Sequence, residues 1–564
     1  MTNASKLSAL TMASVVMIAL SGCVGVPLSG EVGLGTLIDG QIDPEYEIVA
    51  EGPVAGSAQE QILTDFMNAV RAPSRDYSVA REFLTTAMSN EWNPSASATI
   101  RERDKLPSIV PALEDQTLSY SFSAQAVVDE RGVYSELRSP VSQTLTFDFE
   151  REDGQWRIAS APPGVVLSNK GFEVSFEQQV LYYFDPSFAY LIPDTRWFSV
   201  RQSSQSRAIQ ALLSADSPWL QQGAVFTAFP AATTLGSASS LSSGRAVVDL
   251  SAEALSADTV SQERMRQQVA ATLHTPIVVL TVDGRELQSS SSGQNAAVIE
   301  PSSGGPLVVG TAREFGFNTV DGLSEIDELS AVVVGASATA AVLSSGRLSV
   351  AYRAGDGETY FASVGGSPRI IDDRPGLAAP SLDPFRFVWS AQRSSAASLS
   401  TFEVDGTEHP IQSSLPADSE IISLDVSRDG ARLLVYLATP AGPQLLVYGI
   451  VRQQGNVPVQ LAEPTVLPAR PGTPIDAAWV GSRTVATLSA NDDSVAVTAF
   501  SLGGPTENLG DVDGARQLVS AGTNTDGLRL LAGSEVWRPQ GSQEWARTGP
   551  VSYTHLTLPT NREV

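Results

Sequence analysis

The chain has 564 residues, with 36 Lys and Arg against 62 Asp and Glu, which gives a net charge of −26. Because domains usually contain about 100–200 residues, the length predicts three to four domains. Binding to a nucleic-acid backbone depends on clustered positive charge, so the excess of acid argues against a nucleic acid as partner. The single cysteine, Cys23, excludes an intrachain disulfide, and the 3 histidines leave little material for histidine-based catalysis or metal binding.

The first 22 residues have the pattern of an export signal. Lys6 is the only charged residue before Cys23, and the segment 7–20 is largely apolar. About 14 apolar residues are too few for a membrane span, which needs about 20, but they are typical of a signal peptide. We therefore expect a signal peptide over 1–22, with a flexible tether at 23–52.

The apolar segment ends in Leu20-Ser21-Gly22-Cys23, which resembles the lipobox of bacterial lipoproteins. The resemblance implies cleavage before Cys23 and its conversion into an N-palmitoyl, S-diacylglycerol cysteine. More than one acyl chain is needed for stable anchoring, so the chain is expected to be lipid-anchored at the cell membrane, on the extracytoplasmic face. The alternative is a buried free cysteine, a common fate of this residue type.

Residues 53–165 are predicted to form an α+β domain. Ser57 and Glu60 have the spacing of a capping box, and they precede an apolar helical face. A second helix is expected after Asp76, running through Met88. The pattern then becomes alternating, as in Leu118-Ser-Tyr-Ser-Phe122, which indicates strands. Helices followed by an antiparallel sheet resemble the NTF2-like cone, whose aromatic residues either line a ligand pocket or simply fill the core.

Residues 171–286 are predicted to form an α/β domain. A hairpin is expected around Asp185-Pro186, and two helices alternate with buried strands. The predicted strands include Val225–Phe229, Ala246–Leu250 and Ile277–Val282. His274 closes the second helix, where a cation suits the helix dipole, so a capping role fits it better than a catalytic one.

Residues 295–549 are predicted to form a β-propeller. Short apolar strands meet at turns that contain Gly. These turns lie at Gly346, at Gly430, at Ser482 (which follows Gly481) and at Gly527. Their spacing corresponds to repeats of about 40–50 residues, which are typical of propeller blades with four strands each. Phe385-Arg-Phe-Val-Trp389 occupies the place of a blade that lacks such a turn. Five blades are readable and the length allows six, while closure of the ring is left open.

The last segment, 551–564, continues none of the sequence patterns of the preceding regions. It resembles a peptide that recurs at the ends of unrelated protein sequences through translated sequencing-adapter DNA. We therefore suspect an artefactual tail, which removes His555 from any functional argument; the alternative is an ordinary C-terminal tail.

Several motifs of the first two folded regions match one known family. The motifs are Gly52-Pro-Val-Ala-Gly56, Ala80-Arg-Glu-Phe-Leu-Thr85, Tyr183-Phe-Asp-Pro186, Arg196-Trp197 and Ser217-Pro-Trp-Leu220. With the signal, the tether and the repeat region, they resemble the LpqB family of actinobacterial lipoproteins. In that family an N-terminal domain is followed by a GerMN (sporulation and spore germination) domain and a β-propeller.

The resemblance also implies a function. The family acts beside the MtrA–MtrB two-component system, where the lipoprotein binds the extracellular domain of the sensor histidine kinase MtrB and modulates envelope and cell-division signalling. The expected partners are therefore an MtrB-like sensor kinase and, through the lipid anchor, the membrane.

The main alternative is an enzyme of the envelope that acts on glycans or peptides. The sequence contains no Gly-x-Ser-x-Gly, His-Glu-x-x-His or Gly-x-x-x-x-Gly-Lys motif. A carboxylate pair of the glycosidase type stays open, since 62 acidic residues make chance pairs common. A solute-binding lipoprotein is a further alternative, which the domain order fits poorly. We expect no enzyme activity, no catalytic residues, no cofactor and no metal site.

Overall fold

The computed structural model describes residues 50–548 and 555–557, apart from 112–115, 201–203, 237–239, 243, 289–295, 300, 302–306, 312, 320–321, 345, 493 and 521. The chain divides into two compact units, Met1–Val49 and Ala50–Val564, and the described residues belong to the second. The expected signal peptide, the lipidated Cys23 and nearly all of the tether therefore lie outside the described residues. Within the described part, no helix is long and apolar enough to cross a membrane.

The first domain packs three short helices against one sheet. The helices are α1 (Gln59–Ala69), α2 (Ser74–Arg81) and α3 (Thr86–Glu91). The strands are β1 (Ser97–Arg101), β2 (Ser108–Pro111), β3 (Thr117–Asp129), β4 (Tyr134–Glu152), β5 (Gln155–Ser160) and β6 (Val165–Leu167). The sheet order is β5-β4-β3-β1-β6, with β2 beside the other half of β3.

Aromatic residues fill the space between the helices and this sheet. Phe66 of α1 lies 5.4 Å from Trp92 and 6.1 Å from Phe147 of β4, measured between ring centroids. The observed α+β domain confirms the predicted change from helices to strands, because one helical face and one sheet face supply its core. The likeness to the NTF2-like cone stays a prediction.

The start of α1 differs from the expectation. Ala58, not Ser57, occupies the N-cap position, and no side chain caps the helix. The backbone N–H of Ser57 instead donates to the carbonyl of Val54 at 3.3 Å. The predicted capping box is therefore wrong, since Ser57 lies one residue too early and takes part in a turn.

The second expected helix is in fact two. Residues 75–77 have φ between 49° and 58°, so regular right-handed helix begins only after Tyr77. It ends at Arg81, and Met88 belongs to the separate helix α3. Thr85 explains the break, because its side chain accepts a hydrogen bond from the Met88 N–H at 3.3 Å and starts a new helix.

The second domain combines a long hairpin, a small mixed sheet and helices. Its strands are β7 (Phe176–Phe184), β8 (Leu191–Ser199), β9 (Ser240–Ser242), β10 (Arg245–Leu250), β11 (Ile277–Val282) and β12 (Arg285–Glu286). Its helices are α4 (Asn169–Ser175), α5 (Ser204–Ser214), α6 (Pro218–Gln221), the 3-10 helix Ala252–Ser256 and α7 (Thr259–Thr272). β7 and β8 pair antiparallel around Asp185, as predicted, and β10 pairs parallel with β11. Val225–Phe229 is not a strand, because only Phe226 forms an isolated bridge, to Phe184.

The third domain consists of six sheets of four or five strands in the described residues, and each sheet is one propeller blade. The first blade contains β13 (Val308–Gly310), β14 (Phe315–Thr319), β15 (Gly322–Glu325) and β37 (His555–Thr557), and helix α8 (Leu329–Gly335) follows. The second blade contains β16 (Ala340–Leu343), β17 (Ser349–Arg353), β18 (Thr359–Ser363) and β19 (Arg369–Asp372). The third blade contains β20 (Ser381–Leu382), β21 (Val388–Ser390), β22 (Ser400–Phe402) and β23 (Glu408–Pro410). The fourth contains β24 (Glu420–Val426), β25 (Arg432–Thr439), β26 (Gly442–Arg452), β27 (Pro458–Leu461) and β28 (Thr465–Leu467). The fifth blade contains β29 (Thr473–Trp479), β30 (Thr484–Ala490), β31 (Val495–Ser501) and β32 (Thr506–Asp511). The sixth blade contains β33 (Ala515–Ser520), β34 (Leu528–Ala532), β35 (Glu535–Pro539) and β36 (Trp545–Arg547). The 3-10 helices of this domain are Ala396–Ser398, Gln454–Asn456 and Thr525–Gly527.

The predicted Gly-containing turns connect the first and second strands of their blades. Gly430, for example, has φ of 71° and joins β24 to β25. A β-carbon there would lie 2.7 Å from Pro384 of the preceding blade, so the close approach of two blades also favours Gly. The segment 385–389 lies in the third blade. A blade was predicted at this place although no Gly-containing turn marks it.

The ring is closed by strands from distant parts of the chain. β37 pairs antiparallel with β13, so a strand from residues 555–557 completes the blade that starts with residues 308–310. This pairing answers the question of closure that the sequence left open. It does not test the origin of the segment 551–564, and an artefactual tail stays a prediction.

Candidate functional site

The histidines considered in the sequence do not come together. His274 follows α7 with φ of 50°, and its N–H donates to the carbonyl of Ala271 at 3.3 Å. His409 of β23 places Nε2 at 2.9 Å from Glu403 Oε1, and His555 lies in β37. The described residues hold no group of three or more His, Cys, Asp or Glu that could bind a metal ion. Cys23, the expected lipidation site, lies outside the described residues.

The central channel of the propeller is one candidate site. A cavity of about 180 Å³ lies between the innermost strands of neighbouring blades, and two carboxylates, Asp425 of β24 and Asp476 of β29, line it. Burial raises the pKa of Asp425 to about 7, although a hydrogen bond from the Trp479 N–H opposes the shift. Burial likewise raises the pKa of Asp476 to about 6.

Both carboxylates are occupied by backbone donors of the next blade. Asp425 Oδ2 accepts a hydrogen bond from the Trp479 N–H at 2.9 Å. Asp476 Oδ2 accepts one from the Leu518 N–H at 2.8 Å. Ser381 does the same one blade earlier, because its Oγ accepts from the Val426 N–H at 3.1 Å. Side chains of the innermost strands therefore satisfy N–H groups that would otherwise be buried without a partner, which gives the channel acids a structural role.

The second candidate site lies where the three domains meet. Two tryptophans of the second domain contact the propeller there. Trp197 Nε1 donates to the carbonyl of Gly503 at 2.7 Å, and Trp219 Nε1 donates to the carbonyl of Glu463 at 3.2 Å. The Glu463 N–H in turn donates to Gln222 Oε1 at 2.6 Å. Each hydrogen bond fixes the position of one domain against the other.

The first domain contacts both of the others at the same place. The Trp197 N–H donates to the carbonyl of Gly132 at 2.8 Å, and the Trp197 ring lies 6.2 Å from Tyr134. The Thr506 N–H of the propeller donates to Glu136 Oε2 of the first domain at 2.8 Å. The three domains therefore form one body, with Trp197 in contact with all of them.

These contacts surround a cavity of about 260 Å³, which we call the junction cavity. All three domains line it. The lining residues used below are Tyr134, Glu136, Ser217, Trp219, Glu463 and Val466. Cavities between domains are common places for ligand binding, because rigid elements hold side chains from several parts of the chain around one space.

The charges around the junction cavity are unequal. Arg196, which is 2% exposed, pairs with Asp194 at 2.8 Å, and Arg131 pairs with Asp129 at 3.0 Å. Glu136 and Glu463 have no cationic partner within 4.0 Å among the described residues, and both line the cavity. Both arginines are therefore neutralised, and two uncompensated carboxylates remain.

Sequence reasoning did not find the junction cavity. Arg196-Trp197 and Ser217-Pro-Trp-Leu220 were singled out because they resemble family motifs, and both segments contribute to the junction. Their spacing indicates nothing about the propeller residues they contact, because Gly503 and Glu463 lie some hundreds of positions further along the chain. The available signal was therefore the presence of two tryptophans beside polar residues, Trp197 in strand β8 and Trp219 in the short helix α6.

The fold and the junction define a multi-domain protein in which an α+β domain, an α/β domain and a six-bladed propeller form one body. Three family models match the chain: "Lipoprotein LpqB, N-terminal domain" over residues 52–173, "Sporulation and spore germination" over 180–288 and "Lipoprotein LpqB beta-propeller domain" over 317–555. The chain belongs to the LpqB family of lipoproteins.

Relatives from actinobacteria are similar over different lengths. Lipoprotein LpqB of Thermobifida fusca is 24% identical over 622 residues, which cover 94% of this chain and 95% of the relative. Lipoprotein LpqB of Nocardia farcinica is 32% identical over 205 residues, so that this match spans only 35% of this chain and 32% of the relative. Among solved structures, the first GerMN domain of the sporulation protein GerM from Bacillus subtilis is 23% identical and covers 22% of this chain and 97% of its own, with a TM-score of 0.16.

Proposed function

We propose that this chain is an exported lipoprotein that is anchored through Cys23 on the extracytoplasmic face of the cell membrane and binds the extracellular domain of an MtrB-like sensor histidine kinase. In this proposal, binding modulates signalling through an MtrA–MtrB-like two-component system to the cell envelope and to division. Membership of the LpqB family supports the lipoprotein part. The kinase as partner rests on the family resemblance and on the architecture.

The observation that carries the proposal is the junction of three domains in one body. Trp197 contacts the first domain through Gly132 and the propeller through Gly503, at 2.8 and 2.7 Å. A partner that touches more than one domain therefore meets surfaces in a fixed relation, and little conformational entropy is lost on binding. A fixed surface can also discriminate between two arrangements of a sensor domain, and regulation requires such discrimination.

Anchoring is tested at the only cysteine. Cys23→Ala removes the sulfur that would carry the diacylglycerol, so we expect no incorporation of radioactive palmitate and no cleavage between Gly22 and Cys23. Cys23→Ser is a second variant that retains a small polar side chain at the cleavage site. Palmitate incorporation into either variant would contradict the assignment of Cys23.

Partner binding is tested with the full chain purified in detergent. The protein is used to retrieve partners from envelope extract, which are identified by mass spectrometry. It is also titrated with the purified sensor domain of an MtrB-like kinase. We expect recovery of a sensor kinase and saturable binding. Failure to recover any kinase, together with no measurable binding to the sensor domain, would defeat the proposal. Turnover of a glycan or peptide substrate by the same preparation would support the enzyme alternative instead.

A further inference from the structure

The junction cavity combines aromatic walls with negatively charged side chains. Its walls include the aromatic residues Tyr134 and Trp219, and its unpaired charges are two carboxylates. We propose that the junction cavity binds a single cationic side chain, arginine or lysine, from a partner polypeptide. The inference deepens the proposed function, on which it rests for the partner, by naming the site and the group recognised.

The carboxylates have free capacity to accept hydrogen bonds. Glu136 uses Oε2 for the Thr506 N–H, which holds its side chain in place, and Oε1 has no partner among the described residues. The Glu463 side chain has no hydrogen-bond partner in the described part of the chain either, while its backbone is fixed by Trp219 and Gln222. A guanidinium or ammonium group can donate to a free carboxylate oxygen of either residue, and such charge-assisted hydrogen bonds are the stronger class.

A hydroxyl on the cavity wall offers a further acceptor to a ligand. Ser217 is 3% exposed and lines the junction cavity. Its Oγ makes no hydrogen bond to another described residue, so an incoming N–H group can donate to this oxygen.

The size and the mouth of the cavity favour a side chain over a separate small molecule. Its volume of about 260 Å³ lies below the range of about 300–1,000 Å³ that is typical of small-molecule pockets. Glu463 and Val466 are exposed and mark an opening to solvent. A long side chain can enter there, place its apolar stem against Val466 and Trp219, and carry its charge to Glu136.

The net negative charge of the whole chain supports a positively charged partner. A net charge of −26 attracts a basic segment over a distance and repels an acidic one. In the channel, by contrast, the carboxylates are occupied by backbone N–H groups. The junction cavity is therefore the better acceptor for a cation.

The test uses two fluorescent peptides, Ala-Leu-Arg-Leu-Ala and Ala-Leu-Gln-Leu-Ala, with blocked ends. Each is titrated against the full chain in detergent by fluorescence polarisation. We expect the arginine peptide to bind at least about ten-fold more tightly than the glutamine peptide, because its hydrogen bonds are charge-assisted. Affinity should also fall as salt is added. Equal binding of the two peptides would overturn the inference.

Two kinds of variant locate the binding. The double variant Glu136→Gln and Glu463→Gln keeps the side-chain size and the acceptor for Thr506, and we expect it to lose at least about ten-fold in affinity. Val466→Trp keeps both carboxylates but fills the mouth, and should lose binding as well. The matched control, Glu253→Gln and Glu286→Gln, removes the same charge at exposed positions of the second domain and should bind as the unchanged chain does.

Several outcomes would count against the site. Unchanged affinity in both the double variant and Val466→Trp, or an equal loss in the control, would overturn the inference. Thermal unfolding within about 2 °C of the unchanged chain shows that a loss of binding is not a loss of folding. Because the peptides do not derive from any kinase, a negative result here leaves kinase binding standing, and failure of kinase binding leaves the peptide result standing.

Discussion

The acidic pair of the propeller channel and the acidic pair of the junction cavity differ in how many hydrogen bonds they accept from described residues. Asp425 and Asp476 line the propeller channel, and each accepts a backbone N–H from the neighbouring blade. Glu136 and Glu463 line the junction cavity, where only one of their four carboxylate oxygens accepts a hydrogen bond from a described residue. The same functional group thus stabilises the ring in one place and stays available to a partner in the other.

The comparison implies that substitutions inside the propeller affect stability, whereas substitutions of the junction carboxylates affect binding. Buried charge is tolerated in a fold when a partner compensates it, and its removal then leaves an uncompensated group. An exposed or half-exposed carboxylate with no partner contributes little to stability.

The largest effect is expected at Arg452. Its guanidinium is fully buried and joins the third and fourth blades, with Nη2 at 2.8 Å from Asp383 Oδ2 and 2.8 Å from the Gly430 carbonyl. Arg452→Ala leaves the Asp383 carboxylate buried without its cation, so we expect a loss of about 3–5 kcal/mol in the free energy of unfolding. Urea denaturation measures it. Arg547→Ala, which breaks the exposed pair with Glu535, is the control and should cost less than about 1 kcal/mol.

The second prediction concerns the junction itself. Trp197→Ala removes contacts that join the second domain to the first domain and to the propeller, and we expect a loss of about 2–4 kcal/mol in the free energy of unfolding. We also expect one calorimetric transition for the unchanged chain and two or more for the variant. Trp156→Ala is the matched control, because Trp156 packs against the core of the first domain only. A single transition in the Trp197 variant would show that the domains are held together without it.

The third prediction follows from the raised pKa of Asp425. Its pKa is about 7 in the folded protein against 3.8 in the unfolded chain, so the folded state binds the proton more strongly between these values. The contribution of Asp425 to stability is therefore fully present at low pH and is lost as the pH rises to about 7.

Asp425→Asn lacks this titration. Relative to the unchanged chain, it should gain on the order of 2 kcal/mol in the free energy of unfolding between pH 5 and pH 7.5. Denaturation at a series of pH values measures the difference. Asp405→Asn is the control, because hydrogen bonds from Thr407 lower the pKa of this exposed carboxyl and leave it ionised throughout that window. If the stability of Asp425→Asn changed with pH in parallel with that of the unchanged chain, the result would contradict the burial of a titrating group in the channel.

The smallest effect is expected at the junction carboxylates. Glu136→Gln and Glu463→Gln, made together, should change the free energy of unfolding by less than about 0.5 kcal/mol, since neither carboxylate has a cationic partner among the described residues. Chemical denaturation of the double variant measures it. A loss comparable to that of Arg452→Ala would mean that the two acids hold the domains together and would remove the contrast with the channel.

The sequence predicted those features that depend on local pattern. Gly430 and its counterparts marked the turns between the first two strands of four blades, and at Gly430 the tight turn needs a residue that tolerates positive φ. The hairpin around Asp185 was also local, since its two strands are consecutive. Val225–Phe229 has the composition of a strand but finds only one partner, which depends on tertiary packing.

Features that join distant segments were beyond the sequence. The first blade was missed because its short strands are completed by β37, from the other end of the described chain. The junction cavity was missed for the same reason, since Glu136, Ser217 and Glu463 come from three domains. Pattern analysis compares residues that are near each other along the chain, so it cannot detect contacts between distant segments.

One titration tests the account most directly. The purified sensor domain of the kinase is titrated into the full chain and into the double variant Glu136→Gln and Glu463→Gln, both in detergent, with Glu253→Gln and Glu286→Gln as control. We expect saturable binding to the unchanged chain and to the control, and binding at least about ten-fold weaker to the double variant. Absence of binding to the unchanged chain would contradict the proposed function, and equal binding to all three proteins would contradict the role of the junction cavity.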